Sequence, residues 1–176
     1  MMAIFRRIVV ALAVLLMALP ALSQREGAEA DVKAAVIANM MLFVEWPLGG
    51  TQVLDRRNLC HLGAGPVTSA LAQLDGQLLG GRRLRVVRVD AAAVFDCHAL
   101  YVAGSEAGSW RRNGPSLKGR GVLLMADSTE LSQQGAMIHL DVENGRVVFD
   151  VDLRAVQLSG LVLSSKVLRL ARQVRD

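Results

Sequence analysis

A few short segments of this chain hold the residue types that do chemistry. The histidines are His61, His98 and His139, and each neighbours a segment that reads as a strand. A zinc site or a histidine-based catalytic site needs converging groups, yet none sits at H-x-x-H or H-E-x-x-H spacing. The reading is structural or surface histidine, with no metal and no other cofactor. Ser164-Ser165-Lys166 raises a Ser–Lys nucleophile, and with it a secreted hydrolase. The S-x-x-K pattern fails, because Leu163 stands where serine is required. Helix capping explains the serines better. Lys166 then falls in a first helical turn, where the helix dipole disfavours a cation and hints at an acidic partner. Gly63-Ala64-Gly65-Pro66-Val67-Thr68 sits between a strand and a helix, as part of a dinucleotide-binding turn would. Thr68 replaces the third glycine, and only Asp90 offers a following acid. A tight strand-to-helix connection accounts for the segment.

Compartment follows from the first 23 residues. Arg6 and Arg7 precede an apolar run from Ile8 to Leu19, which Pro20 breaks. Ala21-Leu22-Ser23 puts small residues at a cleavage site before Gln24, the pattern of a secretory signal peptide. The run is short for a spanning helix. The expectation is a leader at 1–23, a single domain at 24–176, and a periplasmic protein, which argues against chemistry that uses cytosolic ATP or NAD. In an oxidising compartment the isolated pair Cys60 and Cys97 favours a disulfide, against the alternative of two buried thiols that never meet. No CxxC supports a thioredoxin-type role.

The chain carries a formal +4, of which two charges lie in the leader, leaving about +2. That is too weak to argue for nucleic acid. Arg82, Arg83, Arg85 and Arg88 form the densest basic group and read as a solvated strand end. Glu45-Trp46-Pro47 stands out because aromatic residues are scarce. Phe43 and Trp46 flank Glu45 at the end of the first helix, where they either anchor a partner or close the base of a core.

These residues need elements to position them. Ala28 to Val44 reads as an amphipathic helix with Val32, Val36, Met40 and Phe43 on its apolar side, stopped by Trp46-Pro47 and a Gly-Gly turn. Leu59–Leu62, Arg83–Val89, Ala99–Val102 and Gly121–Ala126 read as strands. Val67–Leu74 and Trp110–Leu117 read as helices between them. Asp127-Ser128-Thr129-Glu130 caps a further helix that ends at Gly135. Met137–Val142 and Arg146–Leu153 flank Glu143-Asn144-Gly145, a strong hairpin signal. A turn of helix spans Arg154–Ser159, stopped by Gly160. A last helix runs from Ser164 or Ser165 to Val174, with Val167, Leu168, Leu170, Ala171 and Val174 inside and Arg169, Arg172 and Arg175 in solvent. Alternating strands and helices predict a three-layer α/β fold: a mostly parallel sheet, helices on both faces, and the antiparallel C-terminal hairpin extending one edge.

The order of motifs resembles the YfiR-like family of small secreted bacterial proteins. The resemblance rests on Phe43-Val44-Glu45-Trp46-Pro47, Leu59-Cys60-His61-Leu62-Gly63 and Cys97-His98-Ala99-Leu100-Tyr101-Val102. It continues through Leu123-Leu124-Met125-Ala126-Asp127-Ser128, Gly135-Ala136-Met137-Ile138 and Val147-Val148-Phe149-Asp150-Val151. It ends with Gly160-Leu161, Ser164-Ser165-Lys166 and Leu168-Arg169-Leu170-Ala171. No single piece is specific; their order over the chain is. The resemblance implies a three-layer α/β fold, a homodimer in many members, no enzymatic activity, and a periplasmic regulator. Such a protein binds the periplasmic part of an inner-membrane diguanylate cyclase and holds it inactive, and an outer-membrane lipoprotein can sequester it. Cys60 and Cys97 match one family cysteine pair. The chain departs at Gly135-Ala136, where Gly-Gly is common, and at Asp152, where asparagine is common. It also lacks a second cysteine pair.

The expected contact surface is Phe43, Glu45 and Trp46, supported by Lys166 of the final helix. The competing reading is a periplasmic small-ligand-binding module. Its site would lie at the carboxyl ends of the strands, around Gly63 to Pro66, Gly104-Ser105 and Asp127-Ser128.

Overall fold

A computed structural model describes residues 26–47, 56–91 and 93–176. The leader expected at 1–23 and the Gly49-Gly50 turn lie outside the described residues. The chain runs through helix α1 (residues 26–40), a turn of 3-10 helix at Met41–Phe43, and the short strand β1 (Val44–Glu45). It continues with β2 (Arg56–Leu62), α2 (Pro66–Ala72), β3 (Leu78–Leu79), β4 (Arg82–Arg88), β5 (Ala99–Val102) and α3 (Ala107–Asn113). Then come β6 (Leu123–Ala126), α4 (Thr129–Gln133), β7 (Ile138–Glu143), β8 (Arg146–Asp152) and α5 (Leu153–Leu158). The chain closes with β9 (Val162–Leu163), α6 (Ser165–Leu170) and β10 (Gln173–Arg175).

The main sheet has the order β10-β8-β7-β6-β5-β2-β4-β3. Its central pairs, β4 with β2, β2 with β5, β5 with β6 and β6 with β7, are parallel. Every residue of β5 and β6 is buried, which is why both read as unbroken apolar runs. Helices cover both faces. Register aligns His61, Tyr101 and Met125 in one row, so their side chains share a face by the two-residue alternation of strands. Lys33 of α1 reaches Asp127 on that side. Leu124 points the other way, and lines a cavity of about 280 Å³ with Trp110 of α3 and Ala155 and Leu158 of α5. The fold is the expected α/β arrangement. Asn144 and Gly145 both take positive φ, as the two-residue turn between β7 and β8 requires.

Three local expectations need correction. The buried stripe of α1 is Ala30, Ala34, Ile37, Ala38 and Met40, continued by Met41 of the 3-10 turn; of the four residues expected on it, Met40 is buried, whereas Val32 is 49% exposed and Val36 and Phe43 are only half-buried. Alanine lets the helix axis approach the sheet, so size mattered more than hydrophobicity in choosing the face. A short strand, β3, pairs antiparallel with the start of β4 through a Gly80-Gly81 turn; two leucines were too short a run to read as a strand. The last helix stops at Leu170, which is 75% exposed, and Gln173–Arg175 form β10, parallel to β8. The hairpin therefore does not end the sheet: β10 lies outside it. Arg172 is the cause. Its amide donates to the Phe149 carbonyl (2.8 Å), and its guanidinium binds side chains of the hairpin. Tertiary pairing overrides a weak helical preference.

Candidate functional site

Strand β1 pairs with β9 in a separate two-stranded sheet, Val44 opposite Leu163 and Glu45 opposite Val162. The Ser164 amide donates to the Phe43 carbonyl at 2.9 Å. Ser164 then caps α6, its Oγ accepting from the Lys166 amide at 3.3 Å. The fold thus joins the end of the first helical segment to the start of α6, which places Phe43, Glu45, Trp46 and Lys166 on connected backbone. Glu45 and Lys166 are exposed, and Phe43 and Trp46 are half-buried.

Trp46 is held by contacts within its own fold. Its indole N–H donates to the His98 carbonyl at 3.3 Å, and its ring meets the His98 ring edge-on at 5.6 Å. The Arg57 guanidinium lies 4.4 Å from the indole centroid, a cation–π contact. Gly121 has a positive φ, and a Cβ there would lie 3.3 Å from Pro47, so this corner is held close. His98 accepts at Nδ1 from the Asn58 amide, 3.1 Å away. Burial, then the charges of Arg57 and Arg82, push its pKa down to about 4. His98 is therefore a neutral acceptor at neutral pH. Next to it, Cys60 of β2 is bonded to Cys97 before β5, with Cα atoms 5.8 Å apart.

A cleft lies at the other end of the same strands. The chain passes from β2 out to β4 and returns to β5 on the opposite side of β2, so strand order reverses between β2 and β5. Open α/β sheets place ligands at such a point. Ala64, Gly65, Pro66, Tyr101, Ser105 and Asp127 help to line a cavity of about 210 Å³ there. Lys33 bridges Glu29 (3.0 Å) and Asp127 (3.3 Å). Burial alone would lower the Lys33 pKa, but the two carboxylates outweigh it and hold it raised. Burial, then Asp127, raises the Tyr101 phenol. His61 is buried beside this row with Nδ1 unpartnered among the described residues, and burial lowers its pKa. Gly63, at φ +89°, disfavours a side chain: its backbone would be strained, and a Cβ would meet Glu106 Cγ at 2.7 Å and Ala103 Cβ at 3.0 Å. The Thr68 hydroxyl donates to the Gly65 carbonyl at 2.8 Å. That closes the first turn of α2, the role expected of a strand-to-helix connection.

The histidines sit apart in the sheet: His61 near the carboxyl end of β2, His98 before β5, and His139 on β7, 3.6 Å from Asp150. Among the described residues no group of three or more His, Cys, Asp or Glu is placed to hold a metal ion.

One cluster was not legible in the sequence. Arg172, expected in solvent, donates to both carboxylate oxygens of Asp150 (2.9 and 2.6 Å), to Asp141 (2.9 Å) and to Glu143. These bonds hold the Asp141 and Asp150 pKa values below the usual carboxylate range. The available signal was the alternation of His139, Asp141 and Glu143 on one side of β7, an acidic stripe that called for a cation.

Comparison with known proteins adds the following. No curated protein matches the chain. Among solved structures, the ABC domain in complex with L-Trp from Streptococcus pneumonia shares 10% identity over 67% of this chain and 55% of that chain, with a TM-score of 0.46. A conserved domain protein from Vibrio cholerae shares 11% identity over 83% of this chain and 60% of that chain, with a TM-score of 0.49. The chain spans less than two thirds of either protein. The family comparison reaches much further, matching residues 30–172. That span takes in the β1–β9 pair, the disulfide, the cleft and Arg172, and the chain belongs to the YfiR/HmsC-like family.

Proposed function

We propose that this protein is a periplasmic, non-enzymatic regulator. It binds the periplasmic part of an inner-membrane diguanylate cyclase and represses it, lowering cyclic di-GMP signalling. Family membership over residues 30–172 carries this reading. The pairing of β1 with β9 supports the choice of surface, because it gathers Glu45, Phe43 and Lys166 onto one connected ledge beside the exposed Val162. Trp46 contributes as a rigid base under that ledge, since its N–H and ring face are already engaged. A repressor of this kind works by differential affinity, binding the inactive arrangement of the enzyme more tightly than the active one. An outer-membrane lipoprotein that competes for the regulator would relieve repression. A homodimer is compatible with the same role.

The test is deletion of the gene with measurement of cyclic di-GMP, paired with binding of the purified protein to the cyclase's periplasmic domain. Deletion should raise cyclic di-GMP. Glu45→Lys and Lys166→Glu, both at exposed positions, should weaken binding without unfolding the protein. Unchanged cyclic di-GMP together with no binding sinks the proposal.

The cleft at the β2/β5 reversal favours a second reading, a small-ligand-binding module. A metabolite panel read by thermal shift distinguishes the two. Stabilisation abolished by Asp127→Asn but untouched by Lys166→Glu would favour the ligand.

A further inference from the structure

Arg57 is a cation without a counter-charge. It stands on β2, half-buried, with its guanidinium 4.4 Å from the Trp46 ring centroid. Its Nε is buried with no hydrogen-bond partner, and the guanidinium forms no ion pair among the described residues. Of the guanidinium nitrogens only Nε is both sealed and unpartnered, which leaves the terminal pair to meet an acceptor from outside. Burying part of a charge without a partner is costly, and a fold that keeps such a group calls for an explanation. Stacking on the indole returns only part of that cost.

Neighbouring charges add to the cost. Register puts Arg57 opposite Leu84 of β4, and Arg82 lies two residues before Leu84, so strand alternation projects Arg57 and Arg82 to the same face. Arg83 and Arg85 project to the other face. Arg82 is exposed and has no ion pair among the described residues. Burial, then the Arg82 charge, lowers the Arg57 pKa. The adjacent His98 supplies no negative charge either, being neutral at neutral pH with both arginines helping to keep it so. A planar fork laid on an indole, beside a second guanidinium and with no acid of its own, matches a carboxylate.

We propose that Arg57, seated on Trp46 and aided by Arg82, is the receptor for an Asp or Glu side chain of a partner protein. The inference rests on the reading of this chain as a protein-binding regulator. Two features favour a protein carboxylate over a small free anion. Trp and Arg are the residue types on which interface binding energy concentrates, and here they are stacked on each other. Trp46 also follows Glu45 directly at the end of β1, so an acid seated on Arg57 lies beside the ledge proposed for the partner. The carboxylate accepts from the terminal nitrogens and supplies the missing counter-charge.

Binding of a labelled glutamate-rich peptide to the purified protein, followed by anisotropy, tests this. The peptide should bind saturably, and its counterpart with glutamine at every glutamate should not. Arg57→Met should weaken binding about tenfold and Arg82→Gln several-fold, whereas Arg85→Gln, on the opposite face, should leave it unchanged. Arg57→Lys keeps the charge but loses the fork, and should fall between wild type and Arg57→Met. The urea midpoint of Arg57→Met should match or exceed that of wild type, because an unpaired, half-buried charge has been removed. The same variants, measured against the cyclase's periplasmic domain, should show the same order of effects. Peptide binding through Arg57 with no binding of the cyclase domain to wild type would sink the regulatory reading and leave the carboxylate site standing. Binding of the cyclase domain with Arg57→Met indifferent in both assays would sink the site alone. No peptide binding, equal binding of the glutamine peptide, an equal loss in Arg85→Gln, or inorganic phosphate binding more tightly than the glutamate peptide would each overturn the proposal. A lower urea midpoint in Arg57→Met with binding unaltered would do the same, assigning Arg57 to the fold.

Discussion

The two flanks of the sheet carry opposite electrostatic arrangements. At the β8–β10 flank a single cation, Arg172, is surrounded by Asp141, Glu143 and Asp150, and those bonds attach the last strand. At the β2–β4 flank arginines face one another across strands, and the nearby structure is tied covalently by Cys60–Cys97. A disulfide is indifferent to salt and to mild acid, whereas a charge network is not. The contrast teaches that one flank of the sheet is attached through a charge network and the other is secured by a covalent bond.

Removing the tie should have the largest effect. The loop between Cys60 and Cys97 spans 37 residues, for which chain-entropy arguments give about 4 kcal/mol. The double variant Cys60→Ser, Cys97→Ser should lose roughly that much stability in urea denaturation. An unchanged midpoint would mean that the β2 flank does not depend on the bond.

Breaking the opposite flank should cost less and act locally. Asp150 is 8% exposed and shared by Arg172 and His139. Asp150→Asn should cost about 1–2 kcal/mol, discounted for the solvent around Arg172. It should also release amide protection at Gln173–Arg175 in hydrogen exchange before protection elsewhere falls. Global loss of protection would show that β10 belongs to the cooperative core.

Acid should separate the flanks further. His98 has a depressed pKa in the folded state, about 4 against an ordinary 6.5. The unfolded chain therefore takes up this proton first, and stability on the β2 side falls as pH drops from 6.5 towards 4. The Asp141 and Asp150 contributions are present above the ordinary carboxylate value of 3.8 and are lost only as pH falls below it, through their lowered values. At pH 5, protection should weaken at Asn58 and Ala99 while β10 remains held. His98→Asn, which keeps an acceptor for the Asn58 amide, should flatten the upper window; an unaltered pH profile would assign that window to another group. The smallest effect belongs to Arg85→Glu, which adds a carboxylate to the basic edge. It should shift stability by no more than about 0.5 kcal/mol, and a larger gain would mean that repulsion there is a real cost of the fold.

Most of the sheet was legible because its signals are local. Ala99–Val102 and Leu123–Ala126 are continuous apolar runs, Asn144-Gly145 fixes a turn by backbone sterics, and Ser128 caps α4 by accepting from the Leu131 amide. The strand order, with its reversal between β2 and β5, brings Gly65, Ser105 and Asp127 to one cleft, close to where alternating elements suggested a ligand edge. What stayed hidden depends on long-range partners. Val167 to Val174 has helical periodicity, and nothing local states that Arg172 will find carboxylates on β7 and β8. The face of α1 was read correctly only at Met40, because alanine carries little hydrophobic signal yet allows the closest packing. Trp46 is ambiguous in sequence, since an anchor for a partner and a plug for a core require the same residue, and its contacts with His98 and Arg57 come from residues distant in the chain.

The seating of Trp46 also gives the molecule a built-in optical reporter. Its indole touches both the imidazole of His98 and the guanidinium of Arg57, while Trp110, the other tryptophan, is buried in a helix on the far face. Protonated imidazole quenches indole emission far more strongly than the neutral ring does. Fluorescence intensity should therefore drop with the titration of His98 alone, and a Trp110→Phe background would let that drop be followed through a single chromophore.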